Sequence, residues 1–528
     1  MDHPTKFADA MDHFKNVGRQ YAVDRGSTLS LNDIAIDRTF RNKILEKYEK
    51  KFTAKTTPDE KIMAYMQAKD EILKKQDELY ANSGNRFYDM LRSGSSGKAG
   101  QIAQILSMPG IVEDVHGRPI PIPIKKSWAE GVDTFDYWNQ SYGARKGVVD
   151  KSINTQESGG LNKELLFNTK NLLVVEEECG TPDGISVDVD SREVLDRYLA
   201  ADVPGVGKRN DLVDSELLAK ARKRKLATLL VRSPLECESE GGVCVKCYGL
   251  MPNGQPPRVG ENVGVLDAEA ITERSTQLTL QTFHSGGVAG TKSGILAGFP
   301  RLKELLYVPA TIVDKAVLAE ETGMVRSIVP NPAGGHDLYI GEKKYYIPRE
   351  RTINVNVGQL VKRGDSLTDG SIKAQELSAL KDHQTAQIYT AKEINKIYDD
   401  KFARKSIETV IRGTSNFAEI NEIPDGAPVT WLRGDTVPLT SIKKVNRQLS
   451  SEGGNQIKFT PVFKSIDVLP LEENDWLSRL TTNRLKPTIQ EAVTTGMTTN
   501  TKGTDPMPAY LQGTHFGQDL DLKNRKLY

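Results

Sequence analysis

Four cysteines occur in 528 residues, and three of them fall in one short stretch, Cys237-Glu-Ser-Glu-Gly-Gly-Val-Cys244-Val-Lys-Cys247. The fourth, Cys179, opens a Cys-Gly-Thr turn far upstream. A Cys-x-x-Cys knuckle plus two further thiols supplies the four soft ligands of a tetrahedral Zn(II) site. Gly241, Gly242 and Gly249 permit the sharp turns such a knuckle needs. A shared metal would force two distant segments to meet, which restricts the fold more than any other feature of the chain. The alternative is a set of free or disulfide-paired cysteines, although a four-ligand site leaves no cysteine over. No secretory signal opens the sequence, so a reducing compartment is expected.

The length suggests three or four domains. Charged residues make up 27% and balance to +1, which argues neither for nor against a nucleic-acid partner, because local patches matter more than the sum. No apolar run reaches membrane-spanning length, so no membrane partner is expected.

Along the chain, residues 1–85 read as helical. Ile44 and Tyr48, then Ile62, Tyr65, Met66 and Ile72, recur at helical spacing, and a break at Thr56-Thr57-Pro58 predicts an antiparallel hairpin. Residues 86–142 are turn-rich. Residues 143–171 hold one long helix, with Val149, Ile153, Leu161 and Leu165 on one face and Glu157 interrupting it. Residues 172–260 carry the cysteines and a basic run from Lys220 to Lys225. Residues 261–310 read as helix, glycine loop, helix. Residues 311–375 alternate short apolar strands with turns and predict a small all-β domain. Residues 376–528 read as a helical C-terminal segment with a polar tail. No internal repeat is found.

Two elements carry chemistry. Arg145 and Lys146, in Tyr142-Gly-Ala-Arg-Lys-Gly147, open the long helix at the end where its dipole favours anions, and would suit a bound phosphate backbone. Gly159 and Gly160 within that helix each cost about 1 kcal/mol relative to alanine, so the helix either packs closely or bends there. The plain alternative is a surface helix with a weak spot. The second element is Thr276-Gln-Leu-Thr-Leu-Gln-Thr-Phe-His284-Ser-Gly-Gly287, a glycine-rich loop, and Gly298-Phe-Pro-Arg-Leu-Lys-Glu-Leu-Leu306. Such an arrangement can fold and unfold as a lid, with His284 as proton donor or phosphate contact, or it is a helical hairpin with a capping histidine. Gly286-Gly-Val-Ala-Gly-Thr-Lys-Ser293 misplaces the lysine for a phosphate loop. Asp188 and Asp190 share a strand face by alternation and form a weak metal pair; two exposed carboxylates more often mark a solvated face. The basic run, too, is more often a solvated helix face than a DNA contact.

Together these segments resemble the C-terminal part of the β′ subunit of multisubunit DNA-directed RNA polymerases, in family order over nearly the whole length. Leu29-Ser-Leu-Asn-Asp-Ile34 resembles the entry to the segment before the bridge helix, and Met90-Leu-Arg-Ser-Gly-Ser-Ser-Gly-Lys-Ala-Gly-Gln101 the funnel element of the secondary channel. Gly143-Ala-Arg-Lys-Gly147 resembles the bridge-helix start, and the cysteines the family's second zinc site. Gly260-Glu-Asn-Val-Gly-Val265, Gln277 to Gly287 and Gly298 to Leu305 resemble the trigger loop. Gly358-Gln-Leu-Val-Lys-Arg-Gly-Asp365 resembles the hammerhead domain and Asn483-Arg-Leu-Lys-Pro-Thr-Ile-Gln-Glu-Ala-Val493 the C-terminal segment. The implied fold is multidomain α+β: a helical funnel and bridge-helix/trigger-loop core, a zinc-bound segment, an inserted β-rich domain and a helical C-terminal segment.

The resemblance implies a catalytic set on the first trigger helix, Gln277, Leu280, Gln281 and His284, and a template or nucleic-acid set of Arg145, Lys146, Thr155, Gln156 and Lys163. It implies structural zinc on Cys179, Cys237, Cys244 and Cys247. Departures exist. Ser96 stands where the family has an arginine, so either Lys98 is a substitute phosphate contact or the contact comes from a partner; Leu280 replaces a methionine and Gln281 an arginine; Gly160 replaces an aromatic; and a basic pair reads Lys163-Glu164. The family's Asn-Ala-Asp-Phe-Asp-Gly-Asp loop, which holds catalytic Mg(II), has no counterpart in the 528 residues. The resemblance therefore implies a naturally split subunit of the giant-bacteriophage type, inactive alone, acting in the host cytoplasm or packaged in the virion. Its partners would be a β′ N-terminal chain bearing the aspartates, β-like chains, a promoter-specificity factor, DNA, RNA and nucleoside triphosphates. Two competing readings are a zinc-stapled nucleic-acid-binding scaffold without activity, and a self-sufficient enzyme with its metal at Asp188 and Asp190.

Overall fold

The computed structural model describes residues 4–496, apart from 115–117, 284–298, 313–314, 473–478, 480–484 and positions 27, 36, 55, 82, 333, 350, 399 and 401. Within helices, the side chains of 4–5, 59, 150–151, 153–155, 276–283, 471 and 485–486 lie outside that description. Two compact units are present: residues 1–155 with 279–293, and residues 156–278 with 294–528.

In the first unit, α1 (Pro4–Arg25) and the single turn α2 (Leu31–Ile34) precede a hairpin of α3 (Thr39–Glu49) and α4 (Pro58–Tyr80). Thr57 starts α4. Its hydroxyl accepts from the Glu60 N–H at 3.3 Å, the Glu60 carboxylate accepts from the Thr57 N–H at 2.8 Å, and Pro58 takes the first turn, where no donor is lost. The helices run antiparallel: the Phe40 ring meets Tyr80, Lys47 donates to Glu71, and Tyr65 donates to Glu49. Ile44, Leu45, Ile62, Tyr65, Met66 and Ile72 are buried between them. Each such burial contributes about 1.5–3 kcal/mol.

The region expected to be turn-rich contains two helices, α5 (Arg86–Ser93) and α6 (Ala99–Leu106). Asn85 caps α5 by accepting from the Phe87 N–H at 3.0 Å, and Gly94 ends it at φ 72°, a left-handed conformation that glycine adopts freely. Both helices are short, so their periodicity is faint in sequence; Tyr88, Ile102 and Leu106, packed together, fix them. The long helix α7 (Thr134–Thr169) starts earlier than Gly143. Asp133 accepts from the Asp136 N–H at 3.0 Å and caps it there, while Gly143 and Gly147 sit buried inside it rather than breaking it.

The later turns of α7 belong to the second unit, where Leu161 and Leu165 are fully buried. Val149, expected on the same buried stripe, is 49% exposed in the first unit, so the stripe is not one continuous core face. Four short strands follow: β1 (Leu173–Glu176), β2 (Ile185–Asp188), β3 (Thr228–Val231) and β4 (Gly242–Cys244). β1 pairs with β4 in parallel, and β2 with β3 antiparallel. α8 (Ser215–Lys223) lies between β2 and β3 in sequence, and the single turn α9 (Val245–Tyr248) follows β4. Next come α10 (Val263–Phe283) and α11 (Phe299–Tyr307). The largest core joins Leu161 and Leu165 to Ile271 of α10 and Leu302 of α11. It also takes in α12 (Ala374–Leu380), α13 (His383–Ile397) and α14 (Arg404–Ser415).

Between α11 and α12 lies an antiparallel sheet of β5 (Gly323–Pro330), β6 (His336–Ile340), β7 (Lys343–Ile347) and β8 (Leu360–Val361), in the order β7-β6-β5-β8. Its strands alternate as a half-buried sheet must: Tyr345 and Ile347 point inward, Lys344 and Tyr346 outward. The C-terminal region, expected to be helical, also contains a sheet. β9 (Phe417–Glu422) is flanked antiparallel by β10 (Thr436–Pro438) and β11 (Lys458–Val462), and packs with α15 (Leu439–Ser451). Only Ala418 and Ile420 of β9 turn fully inward, too brief an alternation to stand out against the helices around it. The short helices α16 (Leu469–Glu472) and α17 (Leu485–Thr495) follow. Helices and sheets thus mix as α+β, and no described helix is long and apolar enough to cross a membrane.

Candidate metal centre and the helices beside it

The β1–β4 pair and the α9 turn bring the four cysteines together. The sulfurs of Cys179, Cys237, Cys244 and Cys247 all lie within 4.8 Å of one another, with Cys179 and Cys247 3.8 Å apart. A tetrahedral Zn(II) with bonds of about 2.3 Å separates its sulfurs by about 3.8 Å, so the donor set fits such an ion. Four soft sulfur ligands, three of them buried, could bind a metal ion such as zinc. Close approach of the backbone makes this possible. A Cβ on Gly242 would lie 2.1 Å from the Leu173 carbonyl, and one on Gly249, at φ 84°, 2.3 Å from the Asp196 carbonyl. Backbone N–H groups then point at sulfur: Cys244 donates to Cys237 and Cys247 to Cys244, both at 3.3 Å.

Two arginines that sequence reasoning missed surround the centre. Arg232 from the end of β3 is fully buried and donates to Cys179 at 3.4 Å, Cys244 at 3.7 Å and Glu178 at 2.6 Å. Burial works against its charge, but the sulfurs of Cys247, Cys244 and Cys179 outweigh that and hold the guanidinium protonated more firmly than usual. Arg412 of α14 donates to the carbonyls of Pro234, Cys237 and Ser239 at 3.0, 2.7 and 3.0 Å, and so fixes the loop that carries Cys237. Burial drives the Cys247 thiol up, and the three neighbouring sulfurs add to it. Four thiolates this close repel one another, and a divalent cation is what lets all four ionise.

The centre is tied to the base of α10. Tyr248, next after Cys247, donates to Asp267 of α10 at 3.1 Å. Burial lifts the Asp267 carboxyl to about 6 against the hydroxyls of Ser406, Thr409 and Tyr248. Lys405 of α14 donates to the Leu250 carbonyl just beyond the knuckle. Further along α10, the Tyr398 hydroxyl meets Ser275 at 2.7 Å and donates to the Ile271 carbonyl at 3.2 Å, a lateral brace on the helix. Beyond Ser275 the side chains of Gln277, Leu280 and Gln281, and residue His284 itself, lie outside the described residues.

On α7, Arg145 is exposed and Lys146 is ion-paired with Glu113. The Thr155 side chain lies outside the described residues, Gln156 is exposed, and Lys163 sits over the Phe167 ring at 5.5 Å. α11 is bonded to α7: Lys303 pairs with Glu157 at 3.3 Å and Tyr307 donates to Glu164. Lys98 is exposed at the start of α6. Asp188 and Asp190 do not share a strand face. Asp188 ends β2 and accepts from the Asp190 N–H at 2.8 Å, while Asp190 lies in the following turn and pairs with Arg222 at 3.1 Å. The basic residues of the run lie exposed on the last turn of α8 and in the turn that follows it, with Lys220 paired to Glu216 at 2.8 Å.

Residues 131–328 match the family model described as RNA polymerase Rpb1, domain 5. That stretch includes α7, all four cysteines, α10 and α11. The chain is also similar to the DNA-directed RNA polymerase subunit beta' of Natranaerobius thermophilus, 31% identical over 531 residues that cover 93% of this chain and 42% of that protein. The same subunit of Caldicellulosiruptor saccharolyticus is 32% identical over 514 residues, covering 90% and 43%. That of Thermobifida fusca is 31% identical over 512 residues, covering 89% and 39%. The chain thus spans about two fifths of the length of the curated relatives it matches. These likenesses support an RNA polymerase subunit of the β′ type.

Proposed function

We propose that this chain is the C-terminal part of a β′-type subunit, that α7 is its bridge helix, and that residues 261–310 are its trigger loop in template-directed nucleotidyl transfer. The observation that carries this reading is the match over residues 131–328, which takes in α7, the cysteine centre, α10 and α11 as one stretch. In this reading zinc on Cys179, Cys237, Cys244 and Cys247 staples the segment between the two mobile elements, and Tyr248 and Asp267 pass that anchorage to the root of α10. In this reading Leu280 packs on the incoming base, Gln277 and Gln281 complete the catalytic set of that helix, and His284 reaches the nucleotide's phosphates. Thr155 and Gln156 line the template side, with Lys163 further along α7, and Lys98 contacts the triphosphate from the funnel. In this reading the acids that hold catalytic magnesium come from outside these 528 residues, in which no Asn-Ala-Asp-Phe-Asp-Gly-Asp run occurs. They belong to a separate β′ N-terminal chain, as in split subunits of the giant-bacteriophage type. β-like chains, a promoter-specificity factor, DNA, RNA and nucleoside triphosphates complete the assembly.

General acid help is worth about 10²–10⁴ in rate. His284→Ala in the assembled enzyme should therefore slow nucleotide addition without abolishing it, in single-turnover extension of a primed template; elongation at the wild-type rate would overturn the assignment. The split is tested separately by intact-mass measurement of the purified enzyme. Separate chains for the cysteine centre and the aspartate loop are expected, and one polypeptide carrying both would overturn it.

A further inference from the structure

The most conspicuous unassigned surface is α1. Every described residue from Lys6 to Gly26 is exposed, and among the described residues the side-chain hydrogen bonds of this segment stay within the helix. Yet α1 is not a polar helix. Phe7, Met11, Phe14, Val17 and Tyr21 recur every three or four residues and so share one face. They are 49%, 51%, 70%, 54% and 61% exposed. A stripe of this kind on a helix of 22 residues is unstable in water unless something covers it.

Resting on the polymerase reading above, we infer that α1 is a docking helix that seats in an apolar, acid-rimmed groove on another polypeptide of the same assembly. Area decides against a second copy of this chain. Aromatic side chains bury roughly 150–250 Å² each, so the half-exposed stripe offers on the order of 500 Å². A stable interface needs about 800 Å² from each partner, which a pair of such helices does not reach and a groove that also wraps the flanks does. Residue type agrees. Three aromatic anchors at seven-residue spacing, with Gly18 beside them, suit insertion into pockets better than the Leu- and Ile-rich seam of a coiled-coil pair. Charge sets the rim: Arg25 follows the stripe residue Tyr21 by four positions and stands beside it, and Lys6 stands at the start of the stripe, whereas Lys15 is already paired with Asp12. A lipid surface is disfavoured because Asp9, Asp12 and Asp24 leave the helix with little net charge.

The test places a photo-reactive phenylalanine analogue at position 14 of the full chain in the assembled enzyme and identifies the cross-linked peptide. The expected product joins position 14 to a different polypeptide, at a site bordered by Asp or Glu. Cross-links confined to a second copy of this chain, or to lipid in added phosphatidylglycerol vesicles, overturn the inference. In parallel, Phe7→Glu with Phe14→Glu should lower retention of the chain in the assembly at least tenfold on size exclusion, and Phe7→Leu with Phe14→Leu should restore most of it. Equal retention of the Glu variant overturns the docking role alone. Failure of the wild-type chain to join any polymerase assembly overturns the polymerase reading instead.

Discussion

Glu408 shows how much of this fold rests on single residues. It is wholly buried, and accepts from Arg197 at 2.7 and 2.9 Å, Arg404 at 2.9 Å and Ser233 at 2.7 Å. Burial alone would raise its carboxyl, but the two arginine charges and these bonds hold it down at about 2. Removing one member of a buried charge cluster costs about 3–5 kcal/mol, because the partners stay buried and unpaired. Glu408→Gln should therefore lower the urea midpoint of the second unit by that equivalent, with the slope unchanged. The pH dependence has a definite sign. The folded value lies below the unfolded one of about 4.3, so the stabilisation is present above that pH and is lost as pH falls toward about 2. Cys179→Ser makes the matching claim for the metal centre. It removes the one ligand that ties the upstream segment in, so bound zinc measured by atomic emission should fall well below one per chain and a thiol chelator should strip the remainder faster. Retention of a full equivalent would show that Cys179 is not a ligand.

At the scale of elements, α7 carries the sharpest prediction. A Cβ on Gly159 or Gly160 would meet nothing within 4 Å, so alanine fits at both positions and stiffens the helix. Each substitution should raise stability by up to about 1 kcal/mol. If α7 bends during translocation, the same double variant should slow steady-state elongation while leaving nucleotide KM nearly unchanged; a stabilised variant that elongates normally would remove bending from the mechanism. These glycines were readable in sequence, as were the α3–α4 turn, because Thr57, Pro58 and Glu60 form a local cap. The cysteines likewise declared their meeting by residue type alone. What sequence could not display is α14. Arg404, Lys405, Glu408 and Arg412 look like a solvated face, yet all are buried, because Glu193, Arg197, Leu250 and the Cys237 loop receive them from far away in sequence. Arg232 was hidden for the same reason: nothing near it in sequence announces that its partners are sulfurs.

For the whole molecule, the +1 balance of charge is uninformative until the charges are sorted by whether they are already paired. Arg145 and Lys146 are neighbours at one turn of α7, and sequence treats them alike. The structure separates them, since Arg145 is exposed while Lys146 is neutralised by Glu113. A cation that meets a nucleic-acid phosphate releases a counterion, and its loss reduces the slope of log affinity against log salt by about 1. A cation already paired to a carboxylate contributes no such release. In the assembled enzyme, Arg145→Ala should thus flatten the salt dependence of template binding by about one unit. Lys146→Met combined with Glu113→Gln, which removes a neutral pair, should leave the slope where it was. Fluorescence anisotropy of a labelled template across a salt series measures both. An unchanged slope for Arg145→Ala would take this turn of α7 out of contact with the phosphate backbone. A flattened slope for the neutral pair would mean that Lys146 leaves Glu113 for phosphate when nucleic acid arrives.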